Sequence, residues 1–413
     1  MAQPRESLRK AALRVFGRAS LPPPPVGDAP RVLSRAEIVS RVFAGERIRS
    51  FGLVAILAAV WLVFQFLTGG LFLTPRNLTV LSVQVAISAI LAAGIVMIMV
   101  PGHIDLSIGA TVSFSAIVTA VAMTNLHFPI AEAIAATLLV GVVIGIWHGL
   151  WVAFMRVPAF IVTLATLLGL RGASLLITSG RTLAPSDTIT FISDDTLSPL
   201  ATAILLAVLW AGVVLLAIRE RRARLAAGME ASFLSVVGIP GALIGFVCVG
   251  AFVVTASYRG LPLPVAILLA VVAIIGFQLR HTRFGRHLYA IGGNPEAAQL
   301  AGINIRWHSF WVFVAMGLLY GVAGLIFVAR LDSAPPNGAI GLELNVIAAA
   351  VIGGTSLLGG IGRVQGAVLG ALLMETLNNG MSLMNLPSYY QQITIGFVLL
   401  IAVYLDIRTR GRG

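Results

Sequence analysis

The amino-acid sequence predicts an all-α, polytopic membrane protein with about 10–12 transmembrane helices, some of them broken or re-entrant. Of its 413 residues, 58% are hydrophobic and only 11% are charged, and the mean hydropathy is +0.97. A soluble domain usually carries about 25% charged residues, so this chain has too few polar groups to cover a water-facing surface. The apolar residues also gather in runs that approach the ~20 residues needed to cross a bilayer. Composition therefore argues against soluble enzymes, disordered scaffolds and nucleic-acid-binding proteins.

Residues 1–50 form a basic region ahead of the first apolar run. Nine arginines and one lysine lie in it, without the early apolar core and small-residue cleavage site of a secretory signal peptide. Leu8–Leu21 has the spacing of a basic amphipathic helix, although a disordered tail describes residues 1–30 equally well. Ser34 and Glu37 form a capping box, so we expect an interfacial helix that leads into the membrane.

Twelve apolar runs follow, and each is a candidate membrane span. They are Phe51–Phe72, Leu78–Val100, Asp105–Thr124, Ile130–Phe154, Phe160–Thr178, Leu200–Ile218, Phe233–Thr255, Pro264–Leu279, Trp307–Val328, Val346–Leu358, Val364–Met384 and Tyr389–Leu405. Three of them, Asp105–Thr124, Phe160–Thr178 and Val346–Leu358, are short or interrupted. The membrane domain is therefore expected to occupy residues 51–407, with a basic cytoplasmic tail at residues 408–413.

The basic residues predict how this domain is oriented. If the N-terminus is inside and the spans alternate, 23 lysine and arginine residues fall on the inside and four on the outside. One more, Arg171, lies within a span. Because positive charge is retained on the cytoplasmic side of a membrane, both termini are expected in the cytoplasm.

The longest internal polar stretch, residues 280–306, is cytoplasmic in this topology. Asn294 suits the N-cap of a short helix, and Pro295 suits its first position. Glu296 complements the positive end of the helix dipole. These three residues predict a helix that begins sharply outside the membrane.

Small residues make up the rest of this helix. Ala297 and Ala298 favour helical structure, and Gly302 can supply a left-handed C-cap. Ahead of the helix, Gly292-Gly293 is expected to break the chain. A helix of two turns is not stable alone in water and must pack on something. A groove on a partner protein would suit its small side chains, and an ordinary amphipathic linker between spans is the alternative.

Polar groups in two other places are candidates for a transport path. Asp105 and Ser107 lie in Pro101–Gly109, where proline and glycine interrupt the helical pattern. Irregular backbone at membrane depth is tolerated only inside protein or beside a water-filled cavity. The two residues either belong to such a path or cap the next helix, and the local sequence favours capping.

The second place is the span after a glycine-rich segment, residues 353–362. Five glycines in that segment permit close backbone approach, but no lysine follows as in a phosphate-binding loop. Glu375, Asn378 and Asn379 share one face of the following helix, and Gly366-x-x-x-Gly370 permits close packing. Such polar groups should face protein or water, where they contact substrate or bond neighbouring helices.

Five stretches resemble the permease subunits of bacterial ABC importers for sugars, of the ribose, xylose and branched-chain amino acid type. They are HIDLSIGATVSF (103–114), VPAFIVTLATLLGLRG (157–172), HTRFGRHLYAIGGNPEAAQLAGINI (281–305), VIAAAVIGGTSLLGGIGRVQGAVLGALL (346–373) and LNNGMSLMNLPSYYQQITIGFVLLIAVYLD (377–406). The third is the most specific, and the resemblance covers most of Leu78–Asp406. An additional apolar pair within Leu200–Thr255 resembles the extended layout of the xylose-type members.

The resemblance implies a permease of the bacterial cytoplasmic (inner) membrane, which forms the path for D-xylose or a related pentose as a homodimer. The partners that the resemblance implies are membrane lipid, a cytoplasmic ATPase subunit that binds ATP and Mg²⁺, and a periplasmic sugar-binding protein. The Glu296–Gly302 helix matches the family's coupling helix, which sits in a cleft of the ATPase. Thr163, in the second stretch, joins the candidates for the path. No catalytic residue, metal or cofactor is expected in this chain.

Two positions depart from the family pattern. His103 stands where glycine is common, and Glu375 stands where a small residue is usual. Both departures concern the path, and neither falls in the coupling segment.

An ion-coupled secondary transporter of small polar solutes is the competing function. Asp105, Glu343 or Glu375 would then bind protons within the membrane. The short cytoplasmic helix separates the two hypotheses, because a secondary transporter needs no helix that docks in a partner's groove.

Both termini are predicted to be cytoplasmic. Reporter enzymes that are active on only one side of the membrane, fused to the C-terminus, test this directly. A fusion that is active in the periplasm would contradict the topology, because it would place most of the arginines outside.

Overall fold

The structure, a computed structural model, describes residues 52–185 and 189–410, the last six of them as backbone alone. The two helices expected in residues 1–50 lie outside the described residues. Residues 411–413, the end of the expected tail, do as well.

The described chain is almost entirely helical. Its helices are α1 (Gly52–Leu67), α2 (Pro75–Met99), α3 (Ile108–Thr124), α4 (Ile130–Gly149), α5 (Ala159–Thr178), α6 (Phe191–Asp194), α7 (Pro199–Ala226), α8 (Ile239–Ala256), α9 (Leu263–His281), α10 (Arg283–Gly293), α11 (Pro295–Leu300), α12 (Ile305–Leu331), α13 (Leu342–Ile352), α14 (Val364–Leu383) and α15 (Ser388–Arg410). One π-helical turn, Leu150–Phe154, extends α4, and another, Leu234–Gly238, leads into α8. The strands β1 (Thr196–Leu197) and β2 (Leu261–Pro262) form a short antiparallel pair.

Each of the twelve apolar runs coincides with one of these helices, which confirms the all-α membrane fold. Seven described helices are long and apolar enough to cross a membrane, and four shorter helices are also apolar. The run Val346–Leu358 overlaps the short helix α13, whose 11 residues extend only about 16 Å. Since the hydrocarbon core is about 30 Å thick, α13 is long enough to cross only about half of it.

The candidate span Leu200–Ile218 ends before a group of four arginines, which are part of the same helix. Helix α7 continues through the four arginines as far as Ala226, with an ion pair between Arg224 and Glu220 one turn apart. Arginine, alanine and leucine all favour helix, and nothing in this stretch breaks it before Gly228. At the other end of the domain, α15 runs through Arg410, so it passes the boundary expected at residue 407.

Helix α2 lies at the centre of the described bundle. From Ala89 to Met99 it is apolar all round, as a helix enclosed by others should be, and Ile90, Leu91 and Ile95 are completely buried. Helices α9, α12, α13 and α14 pack around it.

Glycines allow two helix pairs to approach at backbone distance. A Cβ on Gly141 of α4 would lie 2.4 Å from the Gly317 carbonyl oxygen of α12. A Cβ on Gly370 of α14 would lie 2.0 Å from the Ala349 carbonyl oxygen of α13. Small residues at this spacing are typical of membrane helix interfaces. The close packing predicted for Gly366-x-x-x-Gly370 is therefore confirmed.

The connections between helices sort into two opposite ends of the bundle. At one end β1 pairs with β2, and Leu183 forms a bridge with Ala334. At the other end the Gly360 amide donates to the Val100 carbonyl (2.8 Å), and Gly292 packs against both residues. The polar segment 280–306 lies at this second end.

Alanine at position 370 should destabilise the protein, because its methyl group would meet the backbone of α13. Overpacking of this kind usually costs about 1–3 kcal/mol. Thermal unfolding of Gly370→Ala in detergent, followed by loss of monodisperse protein, measures the effect. Gly396→Ala is the matched control, since nothing lies within 4 Å of its added Cβ. Equal melting temperatures for the two variants would contradict the packing of α13 on α14.

Candidate translocation path and coupling segment

The segment Pro101–Ser107 between α2 and α3 is irregular and is held by Asp105. This side chain is completely buried, and its Oδ1 accepts from the Ser107 amide (2.8 Å) and the Ser107 hydroxyl (2.7 Å). The hydroxyl of Tyr320 donates to the other carboxylate oxygen. The irregular backbone is thus enclosed in protein, as membrane depth requires.

Two further polar side chains complete this cluster. The Thr163 hydroxyl of α5 accepts from the Leu106 amide (3.1 Å), which ties α5 to the irregular segment. Nδ1 of His148 lies 4.0 Å from the Asp105 carboxylate, and both residues are fully buried. Asp105, Ser107 and Thr163, three of the candidates for the path, therefore lie in one cluster. The local expectation that Asp105 or Ser107 caps α3 is not met, because the N-cap Ser107 forms no side-chain cap bond and Asp105 accepts from Ser107 itself. Their contacts instead fix the irregular segment inside the protein.

The sequence did not single out Tyr320 or His148. Each is one polar residue in a long apolar run, and only the tertiary packing of α4 and α12 brings them to Asp105. No local pattern signals such a contact.

The second polar group lies where α14 packs against α2. Glu375 is buried and accepts from the Ser88 hydroxyl. The side-chain amides of Asn379 and Asn77 exchange two hydrogen bonds, at 2.9 and 3.1 Å. The polar face expected on this helix therefore points into the protein.

A cavity of about 170 Å³ opens beside this face. Glu375 and Asn378 line it together with Gln84, Arg330 and Asn345. Asn379 instead bonds neighbouring helices. Glu375 both lines the cavity and bonds Ser88 of α2, so a role in the path stays a prediction for Glu375 and Asn378.

An ion pair accounts for Arg171, whose position within a span had no explanation in the sequence. Its guanidinium lies 3.7 Å from the Glu343 carboxylate at the start of α13. The pair joins α5 to α13, and a positive charge within a span is stabilised by such a partner.

The short helix predicted after Asn294 is present as α11, with the predicted ends. The Asn294 side chain accepts from the Ala297 amide (2.9 Å), and Pro295 is the first helical residue. Gly302 has a φ of +82°. The amide of Gly302 donates to the Gln299 carbonyl and that of Ile303 donates to the Ala298 carbonyl, both at 3.0 Å. This pair of bonds is a Schellman motif, which satisfies the last carbonyls of the helix.

The prediction that Gly292-Gly293 breaks the chain was wrong. Both glycines belong to α10, which begins after Thr282, whose side chain accepts from the Gly285 amide (3.2 Å). A Cβ on Gly292 would lie 1.8 Å from the Val100 carbonyl oxygen. Glycine is therefore required here for close approach to the end of α2, not for a turn.

Two side chains of α10 also attach this helix to the segment before α14 and to the start of α12. The Tyr289 hydroxyl donates to the Gly362 carbonyl (2.7 Å). A ring nitrogen of His287 lies 3.0 Å from one of His308, at the start of α12. Desolvation, with a further contribution from the charge of His308 and two nearby arginines, lowers the pKa of His287. Because the neutral form is favoured in the fold, this contact weakens as acid protonates the ring.

The outer surface of α11 exposes apolar groups. Leu300 is 90% exposed, and Ala297 is exposed beside it. Ala298 differs from the expectation for a docking residue, because it is buried against the rest of this chain. A partner protein at this surface would meet Leu300 and Ala297.

Residues 77–403 match the family model described as branched-chain amino acid transport system, permease component. The chain belongs to this family of transport permeases. Among the described residues, no three His, Cys, Asp or Glu side chains are grouped so as to hold a metal ion.

Named relatives align along nearly the whole chain. The xylose transport system permease protein XylH of Haemophilus influenzae is 42% identical over 352 residues, which are 85% of this chain and 94% of the relative. XylH of Escherichia coli is 39% identical over 367 residues, 88% of this chain and 92% of the relative. The ribose import permease protein RbsC of Haemophilus influenzae is 34% identical over 358 residues, 87% and 92% respectively. No solved structure matches the chain.

Cysteine labelling should distinguish the two polar groups of this permease. In a Cys248→Ala background, which removes the single native cysteine, Asn378→Cys should react with a water-soluble thiol reagent because it lines an open cavity. Ser107→Cys should remain unreactive because the native side chain is completely buried. Equal reaction at both positions would show that water reaches the Asp105 cluster, and would contradict its structural role.

Proposed function

We propose that this chain is the membrane-spanning permease subunit of an ATP-driven ABC importer, and that its cargo is xylose or a related pentose. The cargo is supported by the XylH relatives, which align with most of this chain over most of their own length. The reaction at the membrane is transport, and ATP and Mg²⁺ bind to a separate ATPase subunit.

The observation that carries this proposal is the bounded helix α11. It is capped at both ends by its own residues, exposes Leu300, and follows α10, which contacts the end of the central helix α2 through Gly292. A short exposed helix anchored to the core is suited to receive a push from a partner. We infer that this partner is the cytoplasmic ATPase subunit.

The same proposal specifies the rest of the assembly. Two copies of the permease enclose the path, and a periplasmic sugar-binding protein delivers the sugar to the end that carries β1 and β2. The protein lies in the bacterial cytoplasmic membrane with both termini inside. The excess of arginine at the end that carries α10 and α11 supports this orientation.

The contacts of the acidic residues favour this function over an ion-coupled transporter. Asp105 accepts three hydrogen bonds and Glu343 pairs with Arg171. A carboxylate that carries protons must be free to exchange them with water, and the completely buried Asp105 lacks that freedom. Glu375, which borders the cavity with Asn378, is assigned to the sugar path.

Substitutions at the two ends of α11 test the coupling role. Gly302→Val should weaken ATPase association and uptake, because a non-glycine residue in the left-handed conformation costs about 1–2 kcal/mol. Glu296→Lys should act in the same direction, since it places a cation at the positive end of the helix. Co-purification of the ATPase subunit and ATP-dependent xylose uptake are the measurements.

Gly293→Ala is the control, because nothing lies within 4 Å of its Cβ and its backbone has no positive φ. Gly302→Asn should restore part of the activity, because asparagine tolerates the left-handed region. If Gly302→Val and Glu296→Lys both retained full association and uptake, the assignment of α11 to the ATPase would be wrong.

A further inference from the structure

A cavity of about 740 Å³ lies beside α11, at the end of the bundle that carries the polar segment. Its polar lining comes from His103, Arg156, Gln299, Asn304, Arg306 and Ser309. Val152 and Ala153, from the turn that extends α4, form an apolar wall. The cavity therefore combines hydrogen-bond donors and positive charge with a surface suited to hydrocarbon.

The two arginines are available to a ligand. Arg156 and Arg306 are both exposed, and neither forms an ion pair within the described part of the chain. No acidic residue lines the cavity. Guanidinium groups bind phosphate through paired hydrogen bonds, so an anion with phosphate chemistry is the complementary ligand.

A band of aromatic side chains places this cavity at the level of the membrane interface. Four of the six tryptophans in the chain, Trp147, Trp151, Trp307 and Trp311, are exposed on α4, its π-helical turn and α12. The rings of Trp147 and Trp151 are 5.4 Å apart, and those of Phe154 and Trp307 are 5.5 Å apart. Tryptophan is enriched at the depth of lipid headgroups.

These two features lie on the same elements. Arg306 directly precedes Trp307, and Arg156 follows the turn that carries Trp151. A ligand that lies between these arginines and the aromatic band would contact both the phosphate-binding groups and the exposed aromatic rings. A free anion would use the arginines alone, whereas a phospholipid would use the arginines, the apolar wall and the band.

We propose that this cavity binds the headgroup of an anionic phospholipid. The phosphate lies between Arg156 and Arg306, and the acyl chains run along the apolar wall toward the tryptophans. In the proposed topology the lipid belongs to the cytoplasmic leaflet, where basic pockets between helices bind such headgroups. Because Gln299 and Gly302 of the α11 segment also line the cavity, the lipid supports the position of that helix.

Native mass spectrometry of the full-length permease tests this assignment. The detergent-purified protein is titrated with dioleoyl phosphatidylglycerol, and bound lipid is counted. Arg156→Gln/Arg306→Gln should weaken lipid binding about thirtyfold, through loss of two charges at the headgroup. Arg219→Gln/Arg222→Gln is the matched control, since it removes two exposed arginines from α7, away from the cavity, and it should bind as the wild type does.

Four results would overturn the proposal, each for a different reason. If lipid binding fell equally in both double variants, the lipid would be attracted to any basic surface and not to this cavity. Equal binding of dioleoyl phosphatidylcholine would exclude recognition of net charge. Displacement of the lipid by millimolar inorganic phosphate would identify a free anion as the ligand. Displacement by the ATPase subunit would show that protein covers the cavity in the assembled importer.

Discussion

The described fold depends on a close backbone contact where three segments meet. The end of α2, the end of α10 and the glycine-rich segment before α14 converge at Val100, Gly292 and Gly360. A hydrogen bond of 2.8 Å, from the Gly360 amide to the Val100 carbonyl, joins the glycine-rich segment to α2. The end of α10 can approach both of them because Gly292 has no side chain. The Val100 carbonyl belongs to a fully buried residue and would cost free energy if it lost its partner, so the contact has little freedom to open.

This junction explains how a surface helix can affect the interior. Helix α2 is enclosed by its neighbours, so a displacement of its end must be shared with the helices packed around it. The contacts of Tyr289 with Gly362 and of Gly292 with Val100 fix α10 to the same point. We therefore propose that α10 and α11 move with the ends of α2 and α14 as one unit when the ATPase subunit acts.

The sequence predicted those parts of the structure that local physics determines. Hydropathy located the helices, and the caps of α11 followed from Asn294, Pro295 and Gly302, whose preferences act within a few residues. It could not predict the contacts of Arg171 with Glu343 or of Asn77 with Asn379, because these join segments far apart in the chain. It misread Gly292 because glycine serves both turns and close approach, and only packing distinguishes the two uses. It also ended the span Leu200–Ile218 before the arginines of α7, where helix propensity continues beyond the apolar run.

The most direct test of the account is the sugar transported per ATP hydrolysed by Gly292→Ala in proteoliposomes that contain the ATPase subunit and the binding protein. The added methyl group would lie 1.8 Å from the Val100 carbonyl oxygen, so the junction must open, while the exposed surface of α11 is unchanged. The account predicts that the ATPase still binds and hydrolyses ATP, but that xylose uptake per ATP falls sharply relative to Gly293→Ala. Uptake per ATP equal to that of the wild type would contradict the claim that this junction transmits the motion.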